Sequence, residues 1–323
     1  MTLSYNPPDT SALKRNQISY KPQLYLPGTY CPLQSQVPLA SLTSFRVGGP
    51  AEWYVAPRSL EDLQASFEWA YYQQLPMTLL GAGSNLLVSD QGLPGLVICT
   101  RYLRHIEFDE DTGLVTVGAG EPIARLAWQA AKRGWQGLEW AVGIPGTVGG
   151  AVVMNAGAHS SCTADLLFDV ETISSSGMIE RLTPQDLGFS YRTSILQGGH
   201  RLVTQATFQL QPGADPKQVQ ATTSQHLEQR RTSQPYHLPS CGSVFRNPDS
   251  HAAAWLIEQI GLKGFQIGGA QVAQRHANFI LNCGGAKASD IFQIIRHVQQ
   301  QVEHHWSLQL EPEVRILGEF QLG

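Results

Sequence analysis

The sequence GIPGTVGGAVVMNAG, at residues 143–157, is the feature that most restricts how this chain can fold. Five of its residues are glycine and none is charged, whereas an ordinary surface loop is rich in Ser, Asp and Asn. A buried stretch of this kind carries many backbone N–H groups that need partners, and glycine lets a flat or phosphorylated ligand approach the main chain closely. This glycine block therefore predicts a nucleotide or flavin site, with a purely structural loop as the alternative.

A second glycine segment, GAGSNL at residues 81–86, follows the strand pattern MTLL at 77–80. We call it the first loop. It matches only half of the GxGxxG dinucleotide fingerprint, because Leu86 occupies the third glycine position and LLVSD continues as a strand instead of a helix. A Rossmann fold is therefore disfavoured. The backbone N–H groups of such a loop can still bind an anion, and an ordinary strand-to-strand turn is the alternative.

Hydrophobic periodicity predicts a chain of mixed helices and strands. Strands are expected at 51–56, 77–80, 114–120, 167–173, 178–182 and 201–210, and helices after Ser59, from Pro122 to Gly134, from Asp215 to 231, from Ser250 to Gly261 and from 289. Asp62, three residues after Ser59, predicts a capping box. Residues 1–37 are rich in proline and show little periodicity, which predicts an arm that is flexible or lies over the surface.

Composition disfavours several classes of protein. Lys plus Arg number 22 against 26 Asp plus Glu, for a net charge of −4, which argues against a nucleic-acid binder. The sequence has neither a signal peptide nor an apolar run of about 18 residues, so no membrane span is predicted. The five cysteines include no CxxC pair and the histidines no HExxH, which predicts no disulfide framework, no metal site and a cytoplasmic protein.

Seven motifs occur in order along the chain, and the ordered set is far more specific than any one motif. They are FRVGGPA at 45–51, GAGSNLLVSDQG at 81–92, GIPGTVGGAVVMNAGA at 143–158, SYRTS at 190–194, CGSVFRNP at 241–248, GLKGFQIGGAQVAQRHANFILN at 261–282 and EPEVR at 311–315. Together they resemble the MurB family of UDP-N-acetylenolpyruvoylglucosamine reductases. The resemblance extends over about residues 40–320.

The resemblance implies an α+β chain with an FAD-binding fold of the PCMH type, made of two α+β subdomains, followed by a C-terminal α+β substrate-binding domain. On this sequence it implies an arm at 1–37, subdomain 1 at 38–100 joined by a C-terminal strand at 312–323, subdomain 2 at 101–215 and the substrate domain at 216–311. FAD would lie between the two subdomains. Since GAGSNLLVSDQG contains neither His nor Cys, noncovalent FAD is expected.

The cofactor contacts implied by the resemblance lie in the first three motifs. They are Arg46, Gly48, Gly49, Gly81, Gly83, Ser84, Asn85, Leu86, Gly143, Ile144, Pro145, Gly146, Val148, Gly149, Gly150, Asn155 and Gly157. Because most of these residues are glycine or apolar, the pyrophosphate would be held largely by main-chain groups.

The family's reaction transfers hydride from NADPH to FAD N5 and then to the enolpyruvyl group of UDP-N-acetylglucosamine enolpyruvate, giving UDP-N-acetylmuramate. The resemblance implies Ser243 as the proton donor, with Arg192 and Glu313 stabilising the enolic intermediate. Such an intermediate builds charge on the substrate carboxylate, so the reaction needs a cation or a shared hydrogen bond as well as a proton donor. By residue type alone, these three would be a turn serine, an exposed arginine and an edge-strand glutamate.

The substrate contacts are less defined by the motifs. The residues expected to bind the sugar nucleotide are Asn247, Tyr236, Arg246 and Lys263, and a role in solubility is the alternative for the charged ones. The short stretch between Arg192 and Ser243 fits the shorter class of the family. No heptad seam is visible, so a monomer is expected.

Two other functions remain open at this point. Another FAD-dependent oxidoreductase of the same fold, acting on an alcohol or a sugar, would explain the glycine segments but not CGSVFRNP or EPEVR. A flavin-binding module without chemistry is the second alternative. The presence of Arg192, Ser243 and Glu313 together argues against it.

Overall fold

The computed structural model describes residues 23–199 and 201–321. Its strands are β1 (Leu24–Tyr25), β2 (Pro32–Pro38), β3 (Pro50–Val55), β4 (Met77–Leu80), β5 (Leu86–Val88), β6 (Leu93–Cys99), β7 (Ile106–Asp109), β8 (Leu114–Gly118), β9 (Gly157–Ala158), β10 (Ser161–Cys162), β11 (Leu167–Ser174), β12 (Ile179–Leu182), β13 (Arg201–Gln209), β14 (Gln266–Ile267), β15 (Ala270–Val272), β16 (Ile280–Asn282) and β17 (Arg315–Leu317). Its α-helices are α1 (Leu60–Tyr72), α2 (Ile123–Lys132), α3 (Val148–Val153), α4 (Pro216–Ser233), α5 (Ala253–Gln259) and α6 (Ala288–Trp306). The predicted α+β class is confirmed.

The first sheet has the strand order β1-β2-β3-β6-β4, in which β3, β6 and β4 are parallel. Helix α1 connects β3 to β4 as predicted, and the hydroxyl of its N-cap Ser59 accepts a hydrogen bond from the Asp62 N–H at 3.2 Å. Leu63 and Phe67 of α1 are buried in the core of this sheet. The first loop therefore emerges at the carboxyl end of β4.

Part of the predicted N-terminal arm belongs to this sheet. Strands β1 and β2 pair with each other, and β2 pairs antiparallel with β3. Leu26, Cys31 and Leu33 are buried in the same core, because apolar residues between the prolines cover the edge of the sheet. The prediction of a flexible arm is therefore wrong for residues 24–37. Residues 1–22 lie outside the described part of the chain.

The second sheet is antiparallel, with the order β12-β11-β13-β8-β7. Helix α2 packs on its core through Leu126, Ala127 and Ala130. Helix α4 packs against α2 and the 3-10 turn at 139–143, and its Leu227 contacts the same core. Helix α4 therefore packs with the second sheet, whereas the predicted boundary at residue 216 places it in the substrate domain.

The glycine block contains a short helix, α3, that the sequence pattern does not predict. The hydroxyl of Thr147 caps it by accepting a hydrogen bond from the Gly150 N–H at 3.3 Å. Glycine has low helix propensity and a six-residue helix is unstable alone, so its formation depends on contacts with the rest of the protein.

The third unit comprises α5, α6 and the sheet β14-β15-β16. An apolar stripe of α6, from Ile291 to Val302, is buried in its core as predicted. Asp90, which follows β5, accepts hydrogen bonds from the N–H groups of Ala288 and Ser289 at the start of α6, at 2.7 and 2.9 Å. Strand β17 pairs in parallel with β5. These contacts attach the third unit and the segment after it to the first loop.

Residues 23–199 and 201–321 contain neither a candidate membrane span nor a candidate metal site. None of their helices combines the length and the apolar character needed to span a bilayer. Nor do these residues bring together three His, Cys, Asp or Glu side chains in the way that a metal site requires.

Candidate active site

A cavity of about 670 Å³, the main cavity, opens where the two sheets and the third unit meet. Strand β4 and the first loop form one wall, and residues 144–151 form a second. Ser243, Asn247 and Glu313 lie on a third wall. The volume is in the usual range for cofactor and ligand sites. Both glycine segments thus line one cavity.

The first loop has backbone donors without partners. Within the described residues, the N–H groups of residues 82–85 donate to no other protein group. Carbonyl groups of the first loop, by contrast, have a partner. The Arg101 guanidinium donates to the carbonyl oxygens of Leu42, Gly81 and Ala82 at 2.5, 3.0 and 2.5 Å. A run of free amides in the wall of a cavity is an anion-binding site.

Gly83 lets the first loop pass close to the segment before it. Its φ is +67°, and a Cβ built there would lie 2.1 Å from the carbonyl oxygen of Leu42. Only glycine combines this conformation with this contact. The neighbouring Ser84 hydroxyl donates to the carbonyl of Pro145 at 2.9 Å, which ties the first loop to the glycine block.

The glycine block lines the main cavity as expected, but two of its amides have protein partners. The Val148 N–H donates to the Glu121 carbonyl at 2.8 Å, and the Gly149 N–H donates to the Ala119 carbonyl at 2.9 Å. A Cβ on Gly149 would lie 2.9 Å from that of Ala119. The expectation that the block's buried amides wait for a ligand is therefore wrong at the start of α3, where they hold the helix against the segment after β8.

Arg192, Ser243 and Glu313 line the main cavity together. Arg192 Nε lies 3.3 Å from Glu313 Oε1, and the two side chains are 22% and 17% exposed. Arg192 Nη2 also donates to the carbonyl of Gly157 at 2.7 Å. The Glu313 N–H donates to the carbonyl of Val244, the residue after Ser243, at 2.7 Å. The main-chain pairing thus joins the segments that carry Ser243 and Glu313.

The backbone of Arg192 is unusual for a non-glycine residue, with a φ of +56°. Two side chains hold it there by donating to its carbonyl: Gln197 Nε2 at 2.8 Å and Arg246 Nη2 at 3.3 Å. A conformation that costs energy persists when its surroundings fix it, and such conformations cluster at functional sites.

Burial dominates the electrostatics of this site. It raises the pKa of Glu313 above the usual carboxyl range, and the positive charge of Arg192 is the main opposing influence. Burial also raises the pKa of the Cys241 thiol, with a further contribution from Glu313. Cys241 is thus a neutral thiol and a poor nucleophile.

Most of the residues that the resemblance assigns to the cofactor line the main cavity. They are Gly81, Gly83, Ser84, Asn85, Leu86, Ile144, Pro145, Gly146, Gly149, Gly150 and Gly157. Six others are absent from its lining: Arg46, Gly48, Gly49, Gly143, Val148 and Asn155.

The structure gives packing reasons for most of these six. A Cβ on Gly49 would lie 2.3 Å from the carbonyl oxygen of Asp90, and one on Gly48 would lie 2.9 Å from the Cβ of Val88. These two glycines thus let the FRVGG segment approach the strand after the first loop. The Asn155 amide joins two loops by donating to the Ser190 carbonyl and accepting from the Ala164 N–H.

A second cavity of about 490 Å³ adjoins the main cavity. The two share the residues Pro145, Arg230, Gln234 and Gly242. Arg46 lines the second cavity, and in the described part of the chain its lining contains no Asp or Glu. Its charge is therefore positive although the whole chain is acidic.

Of the predicted substrate contacts, Tyr236 lines the second cavity and Asn247 the main one. The Tyr236 hydroxyl donates to the Gly143 carbonyl at 3.2 Å and accepts from Arg230 Nε at 2.8 Å. Arg246 lies behind Arg192 and lines neither cavity. Lys263 also lines neither, because it pairs with Glu258 at 2.6 Å on the third unit.

Sequence reasoning missed Arg101 and Gln197, which hold the first loop and Arg192. Arg101 follows β6, the strand next to β4, so its position at the first loop follows from the sheet order. Neither residue belongs to a motif, and nothing in the sequence marks Gln197.

Family models match the two parts of the chain that meet at the main cavity. Residues 51–183 match the FAD binding domain, and residues 234–317 match the C-terminal domain of UDP-N-acetylenolpyruvoylglucosamine reductase. The fold and the site thus define an FAD-binding oxidoreductase.

The relatives make this class more specific. The chain is 65% identical to UDP-N-acetylenolpyruvoylglucosamine reductase of Nostoc sp., over 92% of this chain and 90% of that protein. It is 60% identical to the reductase of the same name from Synechocystis sp., over 93% and 95%. The crystal structure of the Thermus caldophilus enzyme, MurB, matches with a TM-score of 0.77 at 34% identity, over 90% of this chain and 100% of that one. The chain belongs to the UDP-N-acetylenolpyruvoylglucosamine reductase family, the oxidoreductases of peptidoglycan precursor synthesis that the motifs indicate.

Proposed function

We propose that this chain reduces the enolpyruvyl group of UDP-N-acetylglucosamine enolpyruvate to UDP-N-acetylmuramate, with NADPH as the hydride donor and noncovalent FAD as the carrier. The observation that carries the proposal is the position of Ser243, Arg192 and Glu313 around the cavity that the first loop lines. An oxidase acting on an alcohol needs neither a proton donor nor this buried ion pair.

The main cavity fits FAD. The free amides of residues 82–85 suit its pyrophosphate, and the cavity continues from there to Glu313. Bound FAD supplies a ring that accepts hydride and passes it on. No histidine lines this cavity in the described residues, and the thiol of Cys241 stays protonated, which supports noncovalent binding.

Arg192 and Glu313 are proposed to hold the substrate carboxylate. Arg192 uses Nε for Glu313, Nη2 for the Gly157 carbonyl and Nη1 for the Asn155 carbonyl at 3.5 Å, and its remaining N–H groups can bind the carboxylate on which negative charge develops. Glu313 lines the same cavity, where it can share a hydrogen bond with the developing enolate oxygen, and burial raises its pKa.

Ser243 is proposed to supply the proton to the substrate carbon. Its hydroxyl forms no hydrogen bond with other protein groups of residues 23–199 and 201–321, although it lines the cavity. It is therefore free to bond with the substrate.

The nucleotide diphosphate is proposed to occupy the second cavity. Arg46 and Arg230 supply positive charge there, and no acidic side chain of the described residues opposes it. Arg46 is then a substrate contact instead of the cofactor contact expected from the motifs. We further propose that the enzyme is a monomer. We also propose that it acts in the cytoplasm, where its free thiols stay reduced.

The test separates the two half-reactions. Protein reduced with NADPH in the absence of air is mixed with UDP-N-acetylglucosamine enolpyruvate, and flavin absorbance reports reoxidation. We expect Ser243→Ala to be reduced normally and reoxidised about 10²–10⁴-fold more slowly. Ser250→Ala, an exposed serine of the same segment that lines neither cavity, serves as the control. Normal reoxidation of Ser243→Ala would remove Ser243 from the mechanism, and no reoxidation of the unmodified protein would refute the substrate.

A further inference from the structure

Asn278, in the motif QRHANF, is almost completely buried, at 3% exposure. Its side-chain oxygen accepts a hydrogen bond from the Phe245 N–H at 2.9 Å, and its side-chain nitrogen donates to the Phe245 carbonyl at 2.8 Å. Its own carbonyl accepts from the Val244 N–H at 2.9 Å. Asn278 therefore satisfies three main-chain groups in the two residues that follow Ser243.

The same two residues contact the Glu313 segment on their other side. The Val244 carbonyl accepts from the Glu313 N–H, and Phe245 forms an isolated β-bridge with Pro312. Val244 and Phe245 thus lie between Asn278 and the segment that carries Glu313, like the middle strand of a small sheet.

On the other side of Ser243, the Cys241 side chain is buried in the core of the third unit. Within the described residues, however, the main chain of Cys241, Gly242 and Ser243 forms no hydrogen bond with the protein. The main-chain hydrogen bonds that fix Ser243 therefore come from the residues that follow it. Asn278 fixes those residues.

We propose that Asn278 is a positioning residue for proton transfer: it holds Val244 and Phe245 against the Glu313 segment and so fixes the Ser243 hydroxyl in the main cavity. The inference rests on the proposed role of Ser243. It predicts a defect confined to the half-reaction that consumes a proton from Ser243, because Asn278 lines neither cavity.

The chain offers a matched control in Asn282, a buried asparagine at the end of β16. Asn282 is 7% exposed, and its side-chain nitrogen donates to the Phe45 carbonyl at 2.9 Å, away from Ser243. Asn278→Ala and Asn282→Ala each remove one buried amide, so they cost comparable stability, about 1–3 kcal/mol for the polar groups left unpaired.

The experiment measures both half-reactions in the FAD-loaded protein. Displacing a reacting group by about 1 Å costs about 10²-fold, so we expect Asn278→Ala to slow reoxidation by substrate about 10²-fold. Reduction by NADPH should change less than about twofold, and Asn282→Ala should leave both rates near those of the unmodified protein. Equal slowing of both half-reactions, or equal slowing by Asn282→Ala, would show a structural role and overturn the inference.

A double mutant separates this inference from the proposed function. If Asn278 acts through Ser243, adding Asn278→Ala to Ser243→Ala should slow reoxidation no further. Additive effects overturn the positioning role and leave Ser243 as the donor. Normal reoxidation of Ser243→Ala alone overturns the proposed role of Ser243 and the inference with it, whereas no reoxidation of the unmodified protein overturns the proposed function. If Asn278→Ala does not retain FAD, Asn278→Asp keeps the acceptor for the Phe245 N–H and places a carboxylate oxygen, instead of a donor, against the Phe245 carbonyl. It should slow reoxidation selectively in the same way.

Discussion

Arg101 offers the sharpest test of how the protein holds its cofactor. Its guanidinium occupies the carbonyl oxygens of Leu42, Gly81 and Ala82, while the amides of residues 82–85 stay free. Replacing it with methionine, Arg101→Met, keeps an unbranched side chain and removes every donor. We expect the first loop to lose the orientation that leaves those amides free for the pyrophosphate.

The magnitude follows from the bonds that are lost. A hydrogen bond to a charged group contributes about 1.5–3 kcal/mol, and three of them are removed. Arg101 is only half-buried, so water replaces part of the loss, and part of the remainder lowers the stability of the apoprotein. We therefore expect FAD binding to weaken by about 2–3 kcal/mol, which corresponds to a Kd about 30- to 150-fold higher.

The assay is a titration of apoprotein with FAD, followed by quenching of flavin fluorescence. Arg58→Met is the matched control, because Arg58 follows β3 of the first sheet, is exposed and packs on the Tyr102 ring at 5.0 Å without touching the first loop. The Kd of Arg101→Lys for FAD should lie between those of Arg101→Met and the unmodified protein, since a single ammonium group cannot bond to all three carbonyl oxygens as the guanidinium does. A Kd for Arg101→Met within about threefold of the unmodified protein would refute this account of the first loop.

Two further predictions concern stability. In Gly83→Ala the residue has a positive φ and its new Cβ clashes with the Leu42 carbonyl, so the free energy of unfolding should fall by about 2–4 kcal/mol. Gly177→Ala has a positive φ but open space around the new Cβ, so it should cost about 1 kcal/mol. Equal losses for the two variants in urea denaturation would contradict the contact with Leu42. Because burial raises the pKa of Glu313, the folded state binds more protons there than the unfolded chain, so this group destabilises the fold increasingly as the pH rises above 4.5. The free energy of unfolding of Glu313→Gln, minus that of the unmodified protein, should therefore increase with pH, and a pH-independent difference in urea titrations would contradict the raised pKa.

Local signals predicted the elements that depend on local interactions. Ser59 caps α1 as the sequence indicates, because an N-cap needs only residues of the same turn. The predicted capping box is only half formed, since the Asp62 carboxylate accepts a hydrogen bond from the Arg58 N–H instead of the Ser59 N–H. The apolar stripe of α6 predicted its buried face for the same reason. The ordered motifs identified the family, and with it the residues that meet at the main cavity.

The features that depend on distant partners were not predictable. Helix α3 exists because the carbonyls of Ala119 and Glu121 accept its first amides, and no periodicity within the glycine block reveals them. Strands β1 and β2 were not predicted, because the prolines in this segment interrupt the alternating pattern by which a strand is recognised, although prolines are compatible with the edge of a sheet. The resemblance assigns Arg46 to the cofactor, but Arg46 lines the second cavity and not the main one, and the glycines that follow it allow close packing.

The pairing of β17 with β5 has a consequence for biosynthesis. Asn85 Nδ2 donates to the Glu313 carbonyl, and these two residues are 228 positions apart. At about 5–20 residues per second, a ribosome needs about 10–50 s to make the intervening chain. During that time β5 lacks its partner strand and is open to pairing with other chains. The main cavity also lacks the wall that carries Glu313, so the complete cofactor site forms only late in synthesis.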